Sequence, residues 1–165
     1  WRAAAADIPV VRPLFWDFGA DAAARDVEDA FMFGPDVLVA PVLEEGATTR
    51  RVTLPAHPGG WVDWHDGTRH PGGRSVEVPA PLGRLPVFLR AGAILPIDEA
   101  GTLTALAVPG HDGTATGSLY LDDGDTARWR ETGRLVTLTL GADATVTASA
   151  EGDLPALRTR ILGAA

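Results

Sequence analysis

Twenty-two carboxylates, four histidines and no cysteine bound the chemistry open to this chain. A paired acid and base is the first enzymatic arrangement such a set suggests: one carboxyl protonates a leaving group while the other attacks or activates water. The densest cluster, Asp122-Asp123-Gly124-Asp125, sits where a hairpin must turn. Asp and Gly suit that place because the turn needs positive φ and local side-chain-to-backbone bonds. Its spacing does not match the twelve-residue calcium loop, and no bidentate Glu follows at the right distance. A turn is therefore favoured over a metal or ligand site. Asp26, Glu28 and Asp29 share one predicted helix and read as a solvated face. His57, His65, His70 and His111 fall in or beside loops without paired helical spacing, and a zinc site would need further ligands. No Ser stands in a G-x-S-x-G elbow, and a thiol nucleophile is excluded. Pro58-Gly59-Gly60 and Pro71-Gly72-Gly73 lack the strand-to-helix setting of a phosphate cradle. None of these spacings favours a metal site.

Aromatic residues offer a second chemistry, stacking on sugar faces. Trp61 and Trp64 are three apart, so in a strand they point to opposite sides. One can enter a core; the other is left for a neighbouring domain or for a carbohydrate. Trp16 closes the first apolar run, with Asp17 beside it.

Net charge is −8 and the pI about 4.8, which argues against nucleic acid or an anionic membrane as partner. Arg supplies every basic residue, beside heavy Ala, Gly and Pro usage, which fits a GC-rich genome better than a phosphate-binding surface. No apolar run approaches the roughly eighteen residues of a membrane span. The compartment stays open, with the cytoplasm favoured. Trp1-Arg2-Ala3-Ala4-Ala5-Ala6 reads as the tail of a helix already under way, so the chain is expected to be a piece of something larger.

Positioning these residues falls mainly to strands. The two-sided apolar run at 8–18 predicts a strand covered on both faces, despite its two prolines. Asp21 can cap a following amphipathic helix through Phe31, and Gly34-Pro35 reads as its stop signal. From Val37 the texture changes to short strands, predicted at 37–42, 50–54, 61–65, 75–79, 86–90, 104–108, 117–122, 135–140, 145–150 and 157–162. Asp66-Gly67, Asp112-Gly113 and Asp123-Gly124 are hairpin dipeptides between several of them. A second boundary is placed near Pro96–Thr102, where Pro, Asp, Glu and Gly cluster.

Several of these segments resemble the C-terminal part of glycoside hydrolase family 31, the α-glucosidases and α-xylosidases. The resemblance runs through Ile8–Phe15, then Val27–Val42 (VEDAFMFGPDVLVAPV), Leu54-Pro55, Trp61-Val62-Asp63-Trp64, Leu85–Pro96 (LPVFLRAGAILP) and Leu119–Thr126 (LYLDDGDT). It implies a mainly β chain: two antiparallel β-sandwich domains, proximal (34–96) and distal (97–165), preceded by the last βα unit of a (β/α)8 barrel (1–33). In this family an Asp nucleophile and an Asp acid lie on earlier barrel strands, in motifs absent from this sequence. No catalytic residue is therefore expected here. The role implied is to close and brace the missing catalytic barrel of a parent that acts on α-linked oligosaccharide. Trp16 and Asp17 are the residues expected nearest the sugar. The alternative is a carbohydrate-binding β-sandwich module using exposed aromatics.

A first segment built to meet a barrel exposes apolar surface and strand edges when it stands alone. Amide hydrogen exchange of the chain alone is expected to be faster across residues 8–18 than across 50–90. Equal protection of the two segments would refute this.

Overall fold

A computed structural model describes residues 2–126, 129–150 and 155–163. The chain divides into two compact units, one ending at Ala91 and the other beginning at Gly92.

In the first unit α1 (Arg2–Ala5) leads to β1 (Val11–Pro13), α2 (Leu14–Phe18) and α3 (Ala22–Arg25). Then come β2 (Phe31–Phe33), β3 (Val37–Val39), β4 (Thr49–Leu54), β5 (Trp61–Asp63), β6 (Arg69–His70), β7 (Arg74–Pro79) and β8 (Val87–Arg90). Six of these strands form one sheet in the order β1-β2-β3-β8-β5-β6, and β4 pairs with β7 as a separate ribbon. Every pair is antiparallel.

Register explains the layering. Arg12, Met32, Leu38, Phe88 and Asp63 stand opposite one another across five strands, so they share one face. All five are buried. The ribbon alternates as its sequence predicts: Val52, Leu54 and Val78 are buried, while Arg51, Glu77 and Ser75 point away. Met32, Leu38, Phe88 and Trp61 of the sheet form one apolar cluster with Val52, Leu54 and Val78 of the ribbon and with Leu14 and Ala24 of the short helices. Trp61 is fully buried at its centre, and its indole N–H donates to the Pro55 carbonyl at 2.8 Å. Phe18 meets it edge to face.

The second unit carries β9 (Ala93–Glu99), β10 (Thr102–Val108), β11 (Ala115–Leu121), α4 (Trp129–Thr132), β12 (Arg134–Leu140), β13 (Val146–Ser149) and β14 (Arg158–Ile161). Its strands make one six-stranded sheet, β13-β12-β11-β9-β10-β14, with the β9–β11 and β10–β14 pairs parallel. Ile94, Ala105, Ala115, Leu138, Val146 and Ile161, one from each strand, join a single apolar cluster. Gly117 permits the close β9–β11 approach, because a Cβ there would lie 2.1 Å from the Ile94 carbonyl oxygen.

The mainly β expectation holds and each strand predicted from Val37 onward has its counterpart, but the second unit departs from the antiparallel expectation at the parallel β9–β11 and β10–β14 pairs. Five further differences concern individual segments. The apolar run at 8–18 yields only three strand residues, since Pro13 ends the ladder and α2 starts directly after it. The helix predicted through Phe31 stops at Arg25, and Phe31–Phe33 is a strand whose Met32 turns inward. Gly34-Pro35 is therefore a hairpin turn between β2 and β3, with Gly34 at φ +64°, and not a helix stop. Residues 1–33, expected as a barrel βα unit, place β1 and β2 antiparallel in the first sheet, while Trp1 lies outside the described residues. The two compact units part after Ala91, five residues before the boundary expected at 96/97, which falls within β9.

Gly117→Ala is expected to destabilise the second unit by about 1–3 kcal/mol, the usual cost of overpacking. Chemical denaturation should detect this, and an unchanged midpoint would contradict the close approach.

Candidate functional site

On the opposite face of the first sheet the register brings Val11, Phe33 and Val37 into line with Leu89 and Val62. Along this one row Leu89 and Val62 are fully buried, whereas Val11 is 52% and Phe33 53% exposed. Most of the first unit's exposed large apolar residues belong to this stretch, Ile8, Val10, Val11, Phe15, Trp16 and Phe33, with Leu43 beyond β3, while Leu82 and Leu85 stand apart on the loop before β8. A cleft of about 710 Å³ opens here, walled by Val11, Pro13, Phe15, Phe31, Pro41 and Leu43 and rimmed by Arg25, Asp26, Glu28 and Asp29. Contiguous exposed apolar surface with a polar rim is the signature of an interaction face.

Arg12 fixes that face from behind. Its side chain is 4% exposed, and its donors reach three separate pieces of backbone and side chain. Nε donates to Asp17 Oδ2 at 2.9 Å, Nη1 to the Pro9 carbonyl at 3.1 Å and Nη2 to the Gly34 carbonyl at 3.1 Å. A buried cation is tolerated only when paired and hydrogen-bonded, and the planar guanidinium satisfies all three acceptors at once. The approach to β1, the helix α2 and the β2–β3 turn are thereby pinned together. Asp17 serves here as the counter-ion of Arg12. Trp16, its neighbour on α2, is 55% exposed.

At the other end of the sheet lies a mirrored arrangement. Asp63 is buried, its Oδ1 accepting the His65 amide at 2.8 Å and its Oδ2 accepting Arg84 Nη2 at 3.0 Å. The same nitrogen reaches Asp66 Oδ2 at 3.0 Å. The Thr68 amide, bonded to Asp66 at 2.9 Å, and after it the Thr68 hydroxyl and Arg84 hold the Asp66 carboxyl down at about 2. His65 Nε2 lies 2.7 Å from the Leu85 carbonyl, so this histidine fastens a loop. These carboxylates are structural fasteners, each already spoken for by backbone or Arg84.

The acidic hairpin behaves as a turn. Asp122 Oδ1 accepts the Gly124 amide, while Asp123 accepts the amides of Asp125 and Thr126 and the Thr126 hydroxyl. These bonds, led by the Thr126 amide, pull the Asp123 carboxyl below its ordinary range. Among the described residues no three His, Asp or Glu side chains come together as metal ligands. Of the tryptophan pair, Trp61 is the core residue, and Trp64, just beyond β5, is half-buried with its amide bonded to the Val87 carbonyl. The role of Arg12 was missed at the level of sequence, although a signal existed. A lone cation inside the apolar run Val10–Phe15 demands a nearby acceptor, and Asp17 is five residues away.

Comparison with known proteins follows from this geometry. The family model described as glycosyl hydrolase family 31 C-terminal domain matches residues 7–95. An alpha-glucosidase of Aspergillus oryzae is 37% identical over 87% of this chain and 16% of its own length. A sulfoquinovosidase of Agrobacterium fabrum is 45% identical over 54% of this chain and 13% of its own. Among solved structures, a GH31 alpha-xylosidase of Xanthomonas citri superposes with a TM-score of 0.80 at 30% identity, covering 97% of this chain and 19% of the other. The chain thus spans about a sixth of the length of the curated relatives it matches.

Arg12→Met is expected to cost the first unit about 3 kcal/mol. That is the low end for breaking a buried pair, because Asp17 is 29% exposed and can regain water. Urea unfolding followed by tryptophan fluorescence would measure it. The double variant with Asp17→Ala should lose clearly less than the sum of the singles, and strict additivity would contradict the pairing.

Proposed function

Since this chain belongs to glycosyl hydrolase family 31, whose C-terminal domain occupies residues 7–95, we propose that it is the non-catalytic β part of a retaining α-glycoside hydrolase, seated against an upstream (β/α)8 barrel. The observation that carries this is the exposed apolar end of the first sheet. A soluble surface does not ordinarily leave Val11, Phe15, Trp16, Phe33 and Leu43 together in water, with half or more of each side chain open. The barrel supplies the two reacting carboxylates, an Asp nucleophile and an Asp acid, and the β part holds the barrel wall in place. The parent's substrate is an α-linked oligosaccharide, and its activity is that of an α-glucosidase or α-xylosidase. In this reading Trp16, exposed on α2 and free to stack, is the residue nearest the sugar, and Asp17 beside it contributes by anchoring α2 to Arg12. No metal or organic cofactor enters this scheme.

A freestanding carbohydrate-binding module draws less support. Trp64 is half-buried, Trp61 is wholly internal, and the exposed aromatics lie on the face assigned to the barrel.

Purified chain is expected to give no turnover of chromogenic α-glucoside or α-xyloside, whereas the full-length polypeptide carrying it hydrolyses at least one. Phe15→Asp should lower the melting temperature of that full-length protein while leaving the chain alone unchanged. Turnover by the chain itself, or a full-length protein indifferent to Phe15→Asp, would sink the proposal.

A further inference from the structure

The cleft at the exposed end of the sheet has a charge imbalance that its own chain does not cancel. Its walls are apolar, through Val11, Phe15, Phe31 and Leu43, but its rim carries Asp26, Glu28 and Asp29. Asp29 is neutralised by Arg50, whose Nη2 lies 2.7 Å from Asp29 Oδ2 and also donates to the Asp29 carbonyl. Asp26 and Glu28 are exposed, and neither has an ion-pair partner among the described residues. Arg25, the remaining cation of the rim, directs both Nε and Nη2 to the Gly19 carbonyl, at 3.2 and 3.0 Å. One cation thus stands against two unmatched carboxylates.

Covering this cleft would strip water from those carboxylates. A carboxylate desolvated without a counter-charge is heavily penalised, so an occupant that is apolar alone would fit the walls and be rejected at the rim. Strand addition is also disfavoured, because β1 has three residues and ends in Pro13, which offers no ladder donor. The occupant therefore lies over the face and does not extend the sheet.

We infer that the cleft receives an apolar helix or loop of the upstream barrel that presents a basic side chain to Asp26 and Glu28. This rests on the barrel-docking reading and specifies the chemistry of the segment that docks. The length missing relative to the family's members, about five-sixths, is where that segment would reside.

The test uses the full-length polypeptide with Asp26→Arg and Glu28→Arg together, and the same pair of substitutions in the chain alone. The chain alone should melt as before, since both residues are exposed and unpaired. The full-length protein should melt about 0.5 °C lower, the shift that about 1 kcal/mol gives in a protein roughly six times the length of this chain, and the difference should shrink in high salt. If charge reversal leaves the full-length protein unchanged while Phe15→Asp still destabilises it, the barrel docks without a basic contact and this inference fails alone. If neither change matters and sedimentation shows the chain pairing with a second copy of itself, the inference and the docking reading fail together. Loss of melting temperature in the chain alone would trace the effect to folding and would also overturn the inference.

Discussion

The inner face of the first sheet begins and ends in a charge. Across five strands the row reads Arg12, Met32, Leu38, Phe88, Asp63, three apolar residues between a buried cation and a buried anion. Left bare, either charge would cost several kcal/mol in a dry interior. Each is closed by a partner from outside the sheet: Asp17 on α2 for Arg12, and Arg84 on the loop before β8 for Asp63. The two pairs hold α2 over one end of the sheet and the 80–85 loop over the other. The ribbon β4–β7 adds its Val52, Leu54 and Val78 to the apolar cluster between them, around Trp61. The layer is thus bounded electrostatically and filled by packing.

That arrangement leaves the reverse face with an abrupt change of character along a single row. Leu89 and Val62 are dry, and Val11 and Phe33, two to four strands away, are half open to solvent. Residues of the same hydrophobicity differ only in what covers them. In the docking reading proposed above, the uncovered end is the seat of the upstream barrel. On that reading hydrophobic area would give the seat its affinity, and the acidic rim at Asp26 and Glu28 its selectivity.

Much of this was legible from residue order. Short strands separated by Asp-Gly turns, with alternation in Ser75–Val78 and Val136–Leu140, marked an antiparallel β chain, because side chains on a pleated strand alternate sides whatever the rest of the fold does. The acidic hairpin was recognisable as a turn for the same local reason, since Asp and Thr bond to amides two or three residues away. Neighbouring residues carry that information within themselves.

Other features were not available to local reading. Phe31-Met32-Phe33 fits a helix stripe and a strand equally well by spacing, and only pairing with β1 and β3 makes it a strand. Arg12 could be seen to need an acceptor, yet its bond to Gly34, twenty-two residues on, exists because two strands lie side by side. Whether Trp61 or Trp64 is the core residue likewise depends on which face the ribbon covers. Sequence alone determined the class of elements and the absence of the family's reacting-acid motifs, both properties of residue type and spacing. Tertiary structure decided which charges are buried, which apolar face stays open and where the two units part. Burial is a property of the neighbours that distant stretches of chain bring together.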